Sequence, residues 1–282
     1  MKRDTGKSLN LYFCHMNTES PSNYDGLDLM STQEILLGMN DEDARIAAII
    51  RDQIPSITAL IDVLVSKMRL GGRLFYLGAG TSGRLGVVDA SECPPTFGVE
   101  QGRVIGLIAG GDAAIRKAVE NAEDDLKQGF TDLKSYNINA NDVVVGIAAS
   151  GRTPYVLGAL EACKELNITT GCIVCNPDSK IAAVADYPIV LITGPEFLTG
   201  STRLKAGTAT KLALNMITTA TMIRLGRVKG NKMVDMQLSN EKLVDRGTRM
   251  IMEETGLDYD TAKLVLLKEG SVRAAIDKLS QW

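Results

Sequence analysis

Residues 71–95 read GGRLFYLGAGTSGRLGVVDASECPP, and their pattern is the strongest indication of how the chain folds. An apolar run at residues 74–77 predicts a buried strand, and the glycines at 78, 80 and 83 lead into an apolar helix. Similar runs alternate with helical segments further along the chain, at residues 104–108, 143–147, 171–175 and 189–192. Because strands that alternate with helices pair in parallel, we predict an α/β fold with three layers, in which helices cover both faces of a five-stranded parallel sheet.

Further helices are predicted before and after these strands. Ser31 and Glu34 have the spacing of a capping box. A helix over residues 46–70 should be interrupted near Pro55, and a long helix is predicted over residues 202–225. Short amphipathic helices follow from residue 240. We therefore divide the chain into a mobile lead segment (1–30), a main domain (31–235) and a small helical C-terminal domain (236–282).

The composition excludes several classes of function. The 282 residues include 31 Lys and Arg against 34 Asp and Glu, a net charge of −3, and only 5% aromatic residues. Such a chain offers no basic patch for nucleic acid or for an anionic membrane, and no apolar stretch is long enough to span a bilayer. Because His15 is the single histidine, a Ser-His-Asp hydrolase or a histidine-rich zinc site is not expected. We predict no metal and no cofactor.

The cysteines, at positions 14, 93, 163, 172 and 175, are sparse and odd in number. They are typical of free thiols in a reducing compartment, so we predict a cytoplasmic protein. Cys172 and Cys175 have the spacing of a redox pair, but they lie in an apolar strand-like run, where residues three apart point to opposite faces. We therefore expect a structural role for both.

Three loops rich in hydroxyl groups follow predicted strands and precede predicted helices. They are GAGTSGR (78–84), AASGRTP (148–154) and GSTR (200–203). In a parallel sheet such loops lie at the carboxyl edge, where backbone N–H groups at helix starts bind anions. A bound phosphate is one interpretation, and simple helix caps are the other. A dinucleotide is disfavoured, because no acidic residue ends the second predicted strand.

Two glutamates are candidates for acid and base chemistry. Pro94 and Pro95 should end the helix that begins in the first loop, so Glu92 would lie in its last turn, where the helix dipole favours a protonated carboxyl group. A helix over residues 113–127 would place Glu123 at the half-buried edge of an apolar stripe. From the residues alone, a solvated position for Glu92 and an ion pair for Glu123 remain open.

Longer strings carry a family resemblance. The chain resembles the N-acetylmuramic acid 6-phosphate etherases, which have the sugar-isomerase (SIS) fold, in GGRLFYLGAGTSGRLGVVDASECPPTFGV, GLIAGGDAAIRKAVENAEDD, VVVGIAASGRTPYV and GSTRLKAGTATKLALNM. The resemblance covers about residues 31–245 and leaves out residues 1–30. It implies a homodimer that cleaves the D-lactyl ether of N-acetylmuramic acid 6-phosphate, giving N-acetylglucosamine 6-phosphate and D-lactate by a lyase-type hydration in cell-wall sugar recycling.

The same resemblance implies roles for single residues. Glu92 in DASECPP matches the family's proton donor, and Glu123 in AVENAED matches its second catalytic acid or base. Asn121 stands where the family usually has glycine, and we expect little effect from that change. Lys205 and Arg152 either reach the phosphate or are ion-paired or solvated. The phosphate itself is expected to bind residues of the three loops: Gly80, Thr81, Ser82, Ser150, Gly151, Thr153, Ser201 and Thr202.

Two other functions would use the same sugar-phosphate site. A non-catalytic sensor would need the three loops but not Glu92, and glucokinase regulatory protein resembles this family. A phosphosugar isomerase would need one base to move a proton between C1 and C2, and it would release no lactate. The presence of Glu92 in its DASECPP setting favours the etherase.

Overall fold

The sheet has the predicted parallel arrangement. The computed structural model describes residues 17–280. The strands in this range are β1 (Leu74–Gly78), β2 (Val104–Ile108), β3 (Val143–Ala148), β4 (Thr169–Val174) and β5 (Tyr187–Val190). They are all parallel, in the order β2-β1-β3-β4-β5. Gly78 pairs with Ile108 on one side and with Ile147 on the other, so these three strands end at the same edge.

Helices cover both faces of the sheet. They are α1 (Thr32–Asp43), α2 (Ile46–Asp52), α3 (Ile54–Arg69), α4 (Gly80–Phe97), α5 (Ala113–Arg116), α6 (Gln128–Ser135), α7 (Pro154–Glu165), α8 (Lys180–Val184) and α9 (Lys205–Arg224). Apolar side chains of α2, α3, α4 and α9 pack on one face with Val143 and Val145, and those of α6, α7 and α8 pack on the other with Val144. The predicted three-layer architecture is therefore confirmed.

Helix α4 approaches the sheet at glycine positions. A Cβ atom at Gly83 would lie 2.6 Å from Ile108 Cγ1 and 2.7 Å from the Gly78 carbonyl oxygen, and one at Gly106 would lie 2.5 Å from Val87 Cα. These distances are well inside van der Waals contact, so a side chain at either position would push the helix off the strands. The glycines of the first loop thus serve helix–sheet packing as well as the turn.

The end of α4 differs from the prediction. The helix does not stop before Pro94 and Pro95 but continues to Phe97. Each proline removes one backbone donor, yet the last turn still closes, because the Gly98 N–H donates to the Pro94 carbonyl at 2.9 Å. Gly98 has φ +63, which ends the helix. Glu92 is therefore not in the last turn, and its predicted position at the end of the helix is wrong.

The predicted start of α1 is confirmed, and the bounds of two other predicted helices differ from the prediction. The Glu34 N–H donates to Ser31 Oγ at 3.3 Å and the Ser31 N–H donates to the Glu34 carboxylate at 2.7 Å, so the capping box is present. The helix predicted over residues 46–70 is broken at Gln53, next to the residue that precedes Pro55. Helix α9 begins three residues later than predicted.

Residues 17–30 are attached to the main domain. The Thr18 N–H donates to Asn176 Oδ1 at 3.3 Å, and Thr18 is 0% exposed. The Ser22 hydroxyl donates to the Phe197 carbonyl at 2.7 Å, and its N–H donates to Thr199 Oγ1 at 2.9 Å. A mobile lead segment does not fit these contacts. Residues 1–16, which include the predicted features at Cys14 and His15, lie outside the described range.

The predicted C-terminal helices are present as α10 (Glu241–Thr255), α11 (Tyr259–Glu269) and α12 (Val272–Leu279). Their apolar side chains form a separate core around Ile251 and Leu266. The Gln237 N–H donates to the Pro95 carbonyl at 3.1 Å, which joins the chain before α10 to the end of α4. The division at residue 235 stays a prediction. No helix within residues 17–280 has the length and apolar character needed to cross a membrane.

Candidate active site

The carboxyl ends of β1 and β3 open onto a cavity of about 260 Å³, here called the hydroxyl cavity. It is lined by Glu19, Ala79, Gly80, Thr81, Ser82, Glu123, Ala148, Ala149, Ser150, Thr153, Thr202, Ala206, Gly207 and Thr210. The three predicted loops therefore meet in one place. Two of the eight predicted phosphate ligands, Gly151 and Ser201, are not on the wall.

The first wall is the start of α4. The helix begins at Gly80, which has φ +54, so Thr81 and Ser82 lie in its first turn. The backbone N–H groups of a first turn lack helical partners and carry the positive end of the helix dipole. A Cβ atom at Gly207 would lie 3.7 Å from Thr81 Cγ2, so the start of α9 faces the start of α4 across the cavity.

The second wall is the loop after β3. Ser150 and Thr153 line the cavity, and Thr153 directly precedes α7. Gly151 lies behind this wall and is buried. It has φ +68, and a Cβ atom there would lie 2.2 Å from Ser179 Oγ. Gly151 therefore shapes the turn that presents its neighbours.

Lys205 turns away from the hydroxyl cavity. Its side chain is 4% exposed and its Nζ forms a buried ion pair with the Glu42 carboxylate. Its backbone N–H donates to Glu196 Oε2 at 2.9 Å. Burial raises the pKa of Glu196, while the hydrogen bonds from the first N–H groups of α9 oppose that shift. Lys205 is therefore ion-paired and does not reach the predicted phosphate site. Arg152, like Lys205, is absent from the cavity wall.

Glu123 lies on the cavity wall but not on the predicted helix. The helix predicted over residues 113–127 ends at Arg116. Glu123 belongs to a single 3₁₀ turn, Ala122–Asp124, and is exposed rather than half-buried. The prediction that Glu123 belongs to a helix is thus wrong, although Glu123 does reach the cavity wall.

Two residues account for the irregular path. The Arg84 guanidinium donates to the carbonyl oxygens of Ala114 and Ile115, each at 2.8 Å, so it satisfies acceptors that the short helix leaves without helical partners. Asn121 then has φ +60, a left-handed conformation that favours glycine and tolerates asparagine better than most residues. This explains how asparagine can replace the glycine that the family resemblance leads one to expect.

Glu92 does not reach the hydroxyl cavity. It lies ten residues after Ser82 on the same helix, which corresponds to about 15 Å along the helix axis. Its side chain is exposed and is not on the cavity wall. A single chain therefore brings Glu123 to the cavity and leaves Glu92 outside it.

Comparison with known proteins establishes the family. Over 261 residues the chain is 60% identical to a protein of Christiangramia forsetii named N-acetylmuramic acid 6-phosphate etherase, a match that covers 93% of this chain and 95% of the relative. The chain belongs to the N-acetylmuramic acid 6-phosphate etherase family. A Bacteroides fragilis (strain ATCC 25285) protein of the same name is 60% identical over 260 residues, with 92% of each chain covered.

The SIS fold predicted for this etherase-family chain is confirmed. The sequence model described as glucokinase regulatory protein N-terminal SIS domain matches residues 56–164, and the one described as SIS domain matches residues 122–220. The solved structure of a protein from E. coli CFT073 has a TM-score of 0.53 at 17% identity, with 72% of this chain and 97% of the other covered. At that identity the likeness concerns the fold alone.

Glu19 contributes a second carboxylate to the hydroxyl cavity of this etherase-family chain, and no sequence pattern indicates its presence there. It lines the hydroxyl cavity, and its Oε2 lies 3.1 Å from the position that a Cβ atom would take at Gly200. Its neighbour Thr18 is fixed by Asn176, whose Nδ2 donates to Thr18 Oγ1 and to the Ala149 carbonyl, each at 2.9 Å. Because Thr18 and Asn176 are 158 positions apart, only the folded chain reveals this wall.

A second cavity, of about 210 Å³, adjoins the first and is here called the arginine cavity. It shares Ala79, Gly80 and Glu123 with the hydroxyl cavity. Its remaining wall consists of Arg84, Ala109, Ala114, Ala118, Val119, Glu120, Asn121 and Ala122. Glu123 therefore lies between two cavities of the etherase-family cleft, and Arg84 is a second wall residue that sequence reasoning left out.

The cysteines of the described chain are structural, as predicted. Cys93, Cys163, Cys172 and Cys175 are free and buried. Cys172 and Cys175 pack into opposite cores, and burial raises the pKa of each thiol to about 12, so the reactive thiolate is disfavoured. Within residues 17–280 no three His, Cys, Asp or Glu side chains are grouped in a way that could hold a metal ion. That the enzyme needs no cofactor stays a prediction.

Proposed function

We propose that this chain is an N-acetylmuramic acid 6-phosphate etherase that works as a carbon–oxygen lyase. It would cleave the D-lactyl ether and release D-lactate and N-acetylglucosamine 6-phosphate. The observation that carries the proposal is the position of Glu123 on the wall of a cavity built from three hydroxyl loops at helix starts. The names of the relatives, at 60% identity over more than nine-tenths of the chain, support the same reaction.

The phosphate would bind among the hydroxyl groups of the cavity. Thr81 and Ser82 begin α4, Ser150 and Thr153 precede α7, and Thr202 precedes α9. Hydroxyl groups and unpaired backbone N–H groups at helix starts donate hydrogen bonds to a dianion. No lysine or arginine lines this cavity, so these neutral donors and the helix dipoles would hold the charge.

Glu123 would act on the sugar itself. With the ring opened to its aldehyde, the C2 proton is acidic, and the Glu123 carboxylate would remove it. The electron pair left at C2 then forms a double bond to C3, the bond from C3 to the lactyl oxygen breaks, and that oxygen takes a proton from a second carboxyl group. Water adds to C3 and a proton returns to C2, which gives the two products. The reaction is an elimination followed by an addition, so it needs two carboxyl groups and no redox partner.

The second carboxyl group would come from a second copy of the chain. Family resemblance assigns proton donation to Glu92, which lies outside the cavity of its own chain. Glu92 and Val88, which is 58% exposed, lie on the outer side of α4. A partner subunit that packs on this side would receive Glu92 into its own cleft. We therefore propose a homodimer in which each site is completed across the interface.

An uncovered apolar groove supports this arrangement. It lies between α3 and α9, has a volume of about 540 Å³, and is lined by Ile54, Ile57, Thr58, Ile61, Leu212, Asn215, Met216, Thr219, Ala220 and Ile223. Asn215 also donates to the Asp89 carboxylate at 3.0 Å, so the groove is continuous with α4 one turn from Glu92. An exposed apolar groove of this kind is typical of a protein–protein interface.

The first test of the function is lactate release. The wild-type chain is expected to release D-lactate from N-acetylmuramic acid 6-phosphate and, in oxygen-18 water, to label the sugar at C3. Glu123→Gln should lower kcat by about 1,000-fold and abolish deuterium exchange at C2, because the base is lost. Glu161→Gln, an exposed glutamate on α7, is the matched control and should be unchanged. Full C2 exchange in Glu123→Gln would contradict its role as the base.

The second test asks where Glu92 acts. Glu92→Gln and Glu123→Gln should each be inactive alone. If sites are shared between subunits, unfolding and refolding the two variants together yields hybrid dimers with one intact site, and about a quarter of wild-type activity returns. If both carboxylates act within one chain, mixing restores nothing, and the shared-site proposal falls.

We propose a cytoplasmic enzyme of cell-wall sugar recycling. The free, buried thiols of the described chain are compatible with a reducing compartment. Fractionation of the native host, with lactate release measured in each fraction, tests the location. Activity confined to a membrane or secreted fraction would contradict it.

A sugar-phosphate sensor is the second candidate. The match to the glucokinase regulatory protein SIS domain over residues 56–164 favours it, since a sensor needs the hydroxyl cavity alone. Binding of N-acetylmuramic acid 6-phosphate by the wild-type chain without release of lactate would select the sensor.

A further inference from the structure

The arginine cavity adjoins the hydroxyl cavity at Glu123 and at the start of α4. The two cavities share only Ala79, Gly80 and Glu123, so Glu123 is the one titratable group common to both walls. A ligand that occupies both cavities therefore has its central atoms next to the Glu123 carboxylate. The part of the ligand that enters the arginine cavity is a substituent near the reacting carbon.

Arg84 brings a fixed positive charge to this second cavity. Its Nε and Nη2 donate to two backbone carbonyls at 2.8 Å, which fixes the plane of the guanidinium. Those acceptors are neutral, and no carboxylate within residues 17–280 forms an ion pair with Arg84. A half-buried guanidinium without an ion-pair partner favours the binding of an anion, and its remaining Nη1 and Nη2 hydrogens can donate to the two oxygens of a carboxylate.

The rest of the wall limits the size and shape of that anion. Ala109, Ala118 and Val119 present small apolar surfaces, and the cavity volume of about 210 Å³ suits a fragment of a few carbon atoms. Glu120 and Glu123 also face this cavity, so a ligand placed away from Arg84 would meet negative charge. The geometry thus favours a short group that carries a methyl and a single carboxylate.

We propose that the arginine cavity is the subsite for the three-carbon ether substituent of the substrate, and that Arg84 binds its carboxylate. This inference rests on the proposed function, because it takes N-acetylmuramic acid 6-phosphate as the ligand. The phosphate would lie in the hydroxyl cavity, the lactyl methyl against the alanines, and the ether carbon beside Glu123. Arg84 would thereby select substrates that carry a lactyl group over the same sugar phosphate without it.

The test compares two ligands that differ only in the lactyl group. Calorimetric titration in the Glu123→Gln background prevents turnover and measures Kd for N-acetylmuramic acid 6-phosphate and for N-acetylglucosamine 6-phosphate. Arg84→Met should raise Kd at least tenfold for the first ligand and less than twofold for the second. Arg84→Lys keeps the charge without the fork and should fall between. Arg116→Met removes an exposed arginine outside both cavities and should change neither Kd.

Several results would overturn the proposal. Equal weakening of both ligands would mean that Arg84 acts only by holding the segment before Glu123, and no weakening would mean that it binds nothing. If Arg84→Met fails to fold, Arg84→Lys and competition by free D-lactate decide the same question. The proposed function is tested separately, by lactate release from the wild-type chain. If Arg84→Met weakens only the lactyl ligand but the wild-type chain releases no lactate, the subsite exists and the protein is a sensor. A wild-type chain that binds neither ligand rejects both proposals.

Discussion

The segments that follow β1 and β2 lie side by side at one edge of the sheet, yet they are built in opposite ways. After β1 the chain enters an 18-residue helix at once, and that helix packs on the strands through glycines. After β2 it forms the four-residue α5, then an irregular stretch and the 3₁₀ turn of Glu123. Both segments contribute to the same cavity.

The difference shows two ways of fixing a functional group. Thr81 and Ser82 are held by the backbone of a helix start, whose shape follows from local sequence. Glu123 is placed by contacts with other parts of the chain: its 3₁₀ turn packs against α7, and Arg84 donates hydrogen bonds to α5 earlier in the same segment. The first arrangement follows from the residues around it, and the second depends on residues far away in the chain.

The largest effect is expected from Gly83→Ala. The added methyl would lie 2.6 Å from Ile108 Cγ1 and 2.7 Å from the Gly78 carbonyl oxygen, so α4 must shift, at a cost of about 3 kcal/mol in the free energy of unfolding. Gly80→Ala is the control: its φ is +54 but its methyl meets open space, and about 1 kcal/mol is expected. Urea unfolding measures both. An equal loss of unfolding free energy in both variants would contradict the prediction that close packing at Gly83 costs more than the left-handed conformation at Gly80.

A moderate effect is expected from Asn121→Val. A β-branched residue at φ +60 is strained, so the turn would relax and move Glu123 from the wall, lowering kcat/KM by about tenfold. Asn121→Gly permits the same backbone conformation and should retain wild-type activity. Lactate release measures both variants. A loss of activity in the glycine variant as large as in the valine variant would show that the asparagine side chain, not the backbone, matters.

The smallest effect concerns Asp89, midway along α4. Burial raises the pKa of its carboxyl group above the ordinary value, with hydrogen bonds from Thr218 and Asn215 opposing the shift. A carboxyl group with a raised pKa in the folded state contributes most below about pH 4, and this contribution is lost as pH rises through the folded pKa. Asp89→Asn should therefore gain stability relative to wild type as pH rises.

Urea midpoints measured from about pH 3 to about pH 7 check this. The exposed control Asp25→Asn should follow the wild-type profile. A constant difference between wild type and Asp89→Asn across that range would show that Asp89 does not titrate differently in the folded and unfolded states.

The parts of the molecule that follow from local sequence could be predicted. Strand β2 matches its predicted bounds, and the Ser31 capping box is present. The three hydroxyl loops meet as the parallel sheet requires. In each case a periodicity or a turn residue determines the structure over a few positions.

What could not be predicted depends on distant contacts. Glu19 reaches the cavity because Thr18 binds Asn176, and the helix predicted around Glu123 ends at Arg116, beside the two carbonyl groups to which Arg84 donates. Pro94 and Pro95 are predicted to stop α4 but fall within its final turns, where few ladder bonds are lost. Local rules carry no information on such partners, so the predicted last-turn position of Glu92 and the predicted helix around Glu123 are wrong, while the solvated position left open for Glu92 is the one found.

The attachment of residues 17–22 has a practical consequence for shortened versions of the protein. Because this stretch is polar, a shortened version of the protein could be designed to begin at Ser31. Such a deletion would take away Glu19 from the cleft and leave Asn176 without Thr18, while the capping box and the sheet core stayed intact. The pocket of a shortened protein would differ from that of the enzyme, so low activity in it would say nothing about the activity of the enzyme itself.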